Sequence, residues 1–160
     1  MTQRWTTFFA AAAVLVAVAA GVGSAQQASV EELRVSEEYL AKAEQGDAEA
    51  QNRLGVFYSI GLGVPEDDAE TVRWFRLAAE QGDASAAQYS LGVMYNNGEG
   101  VPQDFVQAHM WLNLATSRAS GEDRERIVEN RDSVAQWMTP DQLAEAQRLA
   151  REWDAAHPRD

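Results

Sequence analysis

Few side chains in this sequence are placed to do chemistry. There are two histidines, His109 and His157, and no cysteine. No H-x-x-x-H or H-E-x-x-H spacing occurs, so neither histidine has the partners from which a zinc site is built. The absence of cysteine also removes disulfides, thiolate metal sites and cysteine nucleophiles. Ser29, Ser36, Ser59, Ser85, Ser90, Ser117, Ser120 and Ser133 stand in no G-x-S-x-G or S-x-x-K context that would activate a hydroxyl. Gly61-x-Gly63 and Gly98-x-Gly100 superficially look like phosphate-binding turns. They follow helical patterns rather than strands, however, and lack a third glycine in register, so they read as helix–helix connections. The acidic runs Glu66-Asp67-Asp68 and Glu122-Asp123 fall where helices should begin, and the helix dipole favours negative charge there. The expectation is no catalytic, cofactor-binding or metal-binding residue, and a function carried by a surface.

The elements that would build such a surface are visible as an internal repeat. Ala50, Gln51, Leu54, Gly55, Val56 and Tyr58 match Ala87, Gln88, Leu91, Gly92, Val93 and Tyr95. Gly61, Gly63, Val64, Pro65, Asp67, Trp74 and Ala78 match Gly98, Gly100, Val101, Pro102, Asp104, Trp111 and Ala115, all at an offset of 37. A second echo, EQGDA at Glu44–Ala48 and Glu80–Ala84, has an offset of 36, so one residue is inserted between the copies near Ser85–Ala87.

Each copy reads as two helices. Ala50, Leu54 and Tyr58 lie four apart on one helical face. Gly55 costs about 1 kcal/mol of helix propensity, which points to close approach of a neighbouring helix. Gly61-Leu62-Gly63 ends the first helix, with Gly61 able to take the left-handed conformation of a C-cap. Pro65 keeps Val64 out of the helix. Asp67 or Asp68 starts the second helix as its N-cap or first-turn acid. Its apolar stripe is Val72, Phe75 and Ala79 with Trp74 alongside; Gly82 stops it and Asp83 caps the next.

The flanks follow the same logic. Ser29 to Gln45 reads as a lone second helix, with Ser29 as N-cap and Glu32 completing a capping box. After the second copy, Gly121 to Trp137 carries Ile127, Val128, Val134 and Trp137 at helical spacing. Thr139 then caps a last helix with Pro140 at its favoured first position, and Leu143, Ala146, Leu149, Ala150 and Trp153 form one stripe. The aromatics Tyr58, Trp74, Phe75, Tyr95, Trp111, Trp137 and Trp153 all read as core. His109, on the second helix of copy two beside Trp111, reads as a packing or surface residue, and His157 to Asp160 are expected to fray.

The first residues differ in kind. Arg4 precedes an unbroken apolar run from Phe8 to Val22, followed by the small residues Gly23-Ser24-Ala25. The run is shorter than a membrane span requires. A basic residue, an apolar stretch and a small-residue site together read as a secretory signal peptide over residues 1–25, cut after Ala25. Its removal takes Arg4 away and moves the net charge from −12 to −13. So acidic a chain repels nucleic-acid phosphates. Hydrophobic residues make up 46% and charged residues 24%, which allows a packed core and argues against disorder.

The pattern A-x-x-x-L-G-x-x-Y-x-x-G-x-G-V-x-x-D, followed by Trp and Ala-Ala, resembles the Sel1-like repeat, a relative of the tetratricopeptide repeat. Met138-Thr139-Pro140-x-Gln142 is similar to the closing helices of many members. On this resemblance residues 26–46 form an N-terminal half repeat or cap helix. Residues 47–82 and 83–120 form two repeats, and residues 121–160 a C-terminal capping hairpin. The second copy departs from the pattern where Ala115-Thr116-Ser117-Arg118-Ala119 replaces A-A-E-Q-G. The implied fold is all-α, a short α-solenoid of stacked antiparallel helical hairpins, with about seven helices after the signal peptide. Stacking is needed because no single hairpin covers its apolar face.

The resemblance implies a concave face lined by the first helix of each repeat. Its positions here are Glu49, Asn52, Val56, Ser59 and Ile60, then Ala86, Tyr89, Val93, Asn96 and Asn97. Asn52, Val56, Ser59, Tyr89, Val93 and Asn96 are the expected partner-binding residues, on a face uncharged apart from Glu49. The expected protein is a non-enzymatic, periplasmic or secreted interaction module for a protein or peptide. No cofactor and no nucleic acid are expected, and the membrane is reached only through an uncleaved signal segment. Two other readings remain open: a hydrolase of cell-wall or β-lactam-like compounds, an activity attributed to disulfide-braced members, and a structural subunit of an envelope complex.

Overall fold

The computed structural model describes residues 24–81 and 84–158. Among them are seven α-helices and no strand: α1 Ser24–Glu44, α2 Ala48–Ile60, α3 Asp68–Ala79, α4 Ser85–Asn97, α5 Phe105–Arg118, α6 Gly121–Ala135 and α7 Pro140–Ala156. The chain is an all-α repeat stack. Residues 1–23, with most of the expected signal peptide, and Gly82 and Asp83, the expected helix stop and cap, lie outside the described residues. No helix among those described is long and apolar enough to cross a membrane.

The two copies are built by the same local devices. Asp67 and Asp104 cap α3 and α5, each side chain accepting two backbone N–H bonds of 2.9 and 3.0 Å. These bonds satisfy orphan donors of the first helical turn. The preceding loops close identically, with the Asp67 and Asp104 N–H groups donating to the carbonyls of Tyr58 and Tyr95. Gly55 and Gly92 give the close approach expected of them. A Cβ on Gly55 would stand 2.6 Å from the Phe75 ring, and one on Gly92 would stand 2.6 Å from Leu112 Cγ.

Consecutive repeats are stapled by a buried amide. Gln51 Nε2 donates to the Ala43 carbonyl at 3.1 Å, tying α2 to α1. Gln88 Nε2 donates to the Ala79 carbonyl at 3.3 Å, tying α4 to α3. The loop glycines make the second junction. Gly63, at φ +68°, leaves no room for a Cβ against the Glu32 carbonyl of α1, and Gly100, at φ +66°, none against the Asp68 carbonyl of α3. Ala50, Leu54 and Trp74 are buried in one apolar cluster, and Val72, Phe75, Leu91, Met94, Trp111 and Leu114 in the next.

The flanks correct several expectations. Ser29 is not an N-cap, because α1 begins at Ser24 and runs straight through it. Residues 24–31 contain neither Gly nor Pro, so nothing breaks the helix before that serine. Trp137 is 73% exposed rather than core. Helix α6 ends at Ala135, and the N–H groups of Trp137 and Met138 bond back to Val134 and Ala135, so the half-buried Met138 takes the inward place. Both α6 and α7 pack principally on α5 rather than on each other, so the closing pair is not a self-packed hairpin. His157 does not fray: its ring stacks on Trp153 at 4.0 Å. Thr139 caps α7 as expected, in a reciprocal capping box with Gln142. The Arg118 side chain, 2% exposed, meets Asp154 at 2.6 Å and locks α7 to α5.

Candidate partner-binding cleft

The first helices α2 and α4, with α6 as the next in the row, line a continuous groove. It has two adjoining lobes of about 320 and 250 Å³ that share Val56, Tyr89 and Ser90. Five of the six residues expected from the sequence line it: Asn52, Val56, Ser59, Tyr89 and Val93. The sixth, Asn96, lines neither lobe. It lies in the last turn of α4, where its amide donates to Asn97 and its carbonyl accepts from Gln103, tying the helix end to the following loop.

Helical geometry sets this row. Ala50, Leu54 and Phe57 point into the core, which leaves Asn52, Val56 and Ser59 on the opposite face. Val56 is 38% exposed and Ile60 62%, more than a solvated helix face needs from β-branched apolar residues. In the second copy Asn52 is replaced by Tyr89. The Arg126 guanidinium of α6 lies 5.2 Å from the centre of that ring, and Asn130 reaches its hydroxyl at 3.5 Å. Arg126 is held at 2.8 Å by Asp123. Helix α6 therefore roofs the groove at one end and leaves it open toward α2 and α3.

The face is not uncharged, and this corrects the expectation. Asp68 and Glu99 line the larger lobe, and Asp123 and Arg126 the smaller. Asp68 and Glu99 come together because Gly100 seats its loop on the Asp68 carbonyl, carrying Glu99 beside the start of α3. The signal was present in the repeat alignment: Glu99 replaces Leu62 of the first copy, which packs half-buried against the core. The serine and threonine hydroxyls of the larger lobe are committed as donors. Ser59 donates to the Val56 carbonyl, Thr71 to Asp67 and Ser90 to Ala86, at 2.8 to 3.0 Å. Their oxygens are left as acceptors.

His109 stands apart from the groove, in the core between α5 and α6, 5% exposed. Burial pushes its pKa down, the Arg131 guanidinium adds to this, and Asp132 opposes it. Its Nδ1 has no hydrogen-bond partner. Among the described residues no group of three or more His, Asp or Glu side chains converges as a metal site would require.

The Sel1 repeat model matches residues 48–83 and 85–120. The chain carries two Sel1 repeats. A crystal structure of a protective antigen present in uropathogenic Escherichia coli strains, displaying an SLR fold, is similar over 79% of this chain and 26% of that one. Its identity is 34% and its TM-score 0.73. A Sel1 repeat protein from Oxalobacter formigenes is similar over 80% of this chain and 59% of its own, at 26% identity and a TM-score of 0.54. The chain thus spans about a quarter of the length of the first and three-fifths of the second. No curated protein matches it. The groove lies on the first-helix side of both Sel1 repeats, and α6 extends that row beyond the matched residues.

Proposed function

We propose that this protein is a non-catalytic interaction module that binds an extended segment of a partner protein along the α2–α4–α6 groove. Sel1 repeats are generally protein-interaction modules. One observation carries the reading to this groove: Val56, Val93 and Tyr89 line an open, acceptor-rich cleft that nothing in the described fold fills. Apolar anchors with a few polar groups are what an extended peptide needs for affinity and register. The leader-like composition of the first 25 residues, with its Arg4, apolar run and small-residue site, supports a periplasmic or secreted location. The acidic balance supports a protein rather than a nucleic-acid partner.

Selection of a random peptide library on the purified protein tests the reading. Selected peptides should bind the wild type and lose about tenfold or more with Val56→Asn/Val93→Asn, because two apolar anchors are removed. Peptides that bind both proteins equally would contradict it. Turnover of nitrocefin or of a labelled cell-wall fragment would replace the module reading with the hydrolase one.

A further inference from the structure

The groove is chemically one-sided. Its larger lobe carries two carboxylates, Asp68 and Glu99, and no Lys, Arg or His lines it. Three hydroxyls, Ser59, Thr71 and Ser90, spend their protons on helix carbonyls and offer only acceptor oxygens. The one cation of the adjoining lobe, Arg126, is engaged by Asp123 and by the face of Tyr89. An acidic or acceptor-rich ligand would meet like charges and unpaired acceptors here. A donor-rich one would satisfy both.

We propose that the segment bound in this groove is cationic and apolar by turns, with Lys or Arg side chains at Asp68 and Glu99 and aliphatic side chains on Val56 and Val93. This rests on the groove being the binding surface at all. The arrangement forms only at the junction of the two copies, with Asp68 from the first and Glu99 from the second. One repeat earlier, the equivalents of Glu99 and Asp68 are Leu62, which packs half-buried against the core, and Glu32 on the first helix. The stack therefore offers one cation-selective position rather than a repeated series.

The test uses three fluorescein-labelled synthetic peptides of alternating valine or leucine with Lys, Gln or Glu, titrated into the full chain by fluorescence anisotropy. The Lys peptide should bind about fivefold or more tighter than the Gln peptide, and the Glu peptide weakest, as expected for two partly exposed ion pairs. Asp68→Asn/Glu99→Gln should bring the Lys peptide down to the level of the Gln peptide. Glu37→Gln/Glu129→Gln, which removes two exposed acids outside the groove, should leave the preference intact. Thermal melts by circular dichroism verify that each variant folds.

A Lys preference that survives Asp68→Asn/Glu99→Gln, or that falls equally with the remote pair, would reflect the general attraction of an acidic protein and would overturn the proposal. The groove reading survives that result if Val56→Asn/Val93→Asn still abolishes binding of the Gln peptide. If no peptide binds, or if all bind regardless of Val56 and Val93, both readings fall.

Discussion

The two Sel1 repeats share a skeleton and differ on one face. Inside, Gly55 meets Phe75 as Gly92 meets Leu112, and Asp67 caps as Asp104 does. Outside, Asn52 of the first copy becomes Tyr89, Leu62 becomes Glu99, and the core residue Val72 becomes His109. The first face is open, whereas the second is partly roofed by α6, and the acids Asp68 and Glu99 gather where the two copies meet. Invariant positions hold the stack together, while the positions that vary between copies decide what each part of the surface can bind.

Removing the equivalent indoles should cost most. Trp74 and Trp111 are 4% and 6% exposed, so each change to alanine should lose about 3 to 5 kcal/mol in urea unfolding. Trp111→Ala should be the worse, because that ring also meets Trp153 edge-on at 5.8 Å. A near-zero loss at Trp74 would break the equivalence of the copies.

The helix–helix contacts come next. Gly55→Ala and Gly92→Ala gain about 1 kcal/mol of propensity but overpack, for a net loss of about 1 to 2 kcal/mol. Gly92 should suffer more. Its added carbon meets Leu112 Cγ and also lies 3.2 Å from the Ala108 carbonyl, whereas Gly55 faces only a ring. A stabilised Gly92→Ala protein would show that the close approach is not needed.

His109 sharpens the comparison through pH. Burial lowers its pKa, so the unfolded chain takes up a proton at a pH where the folded chain does not. Stability should therefore fall as pH drops below about 6.5 toward the lower folded value. His109→Val, which copies Val72, should flatten this slope between about pH 7 and 5 and should not destabilise at neutral pH. An unchanged slope would place the titration elsewhere. Smallest is Tyr89→Asn, which copies Asn52. It gives up the Arg126 contact and should cost about 0.5 to 1 kcal/mol in the same unfolding assay.

The skeleton was legible in the sequence because each device is local. A mid-helix glycine beside leucine, a Gly-x-Gly stop and an aspartate two residues past the Val-Pro step each act within a few residues. What escaped depends on competition or on distance. Ser29 is a good cap, but nothing upstream stops the helix, so it never caps. Trp137 holds the right spacing, but its helix ends two residues early. Five of the six expected groove residues line the cleft because they alternate with the core stripe. Asp68 and Glu99 could not be read from a one-helix pattern, since they meet only when the loop of one repeat seats on the second helix of the repeat before it.

The central claim is that the α2–α4–α6 groove is the binding surface. The most direct test is amide chemical-shift mapping by two-dimensional NMR, with the tightest library-selected peptide titrated into the labelled full chain. The account predicts perturbations gathered at Val56, Ser59, Asp68, Tyr89, Ser90, Val93 and Glu99. Perturbations gathered instead around the exposed Trp137, or around Val30 and Leu33 of α1, would contradict it.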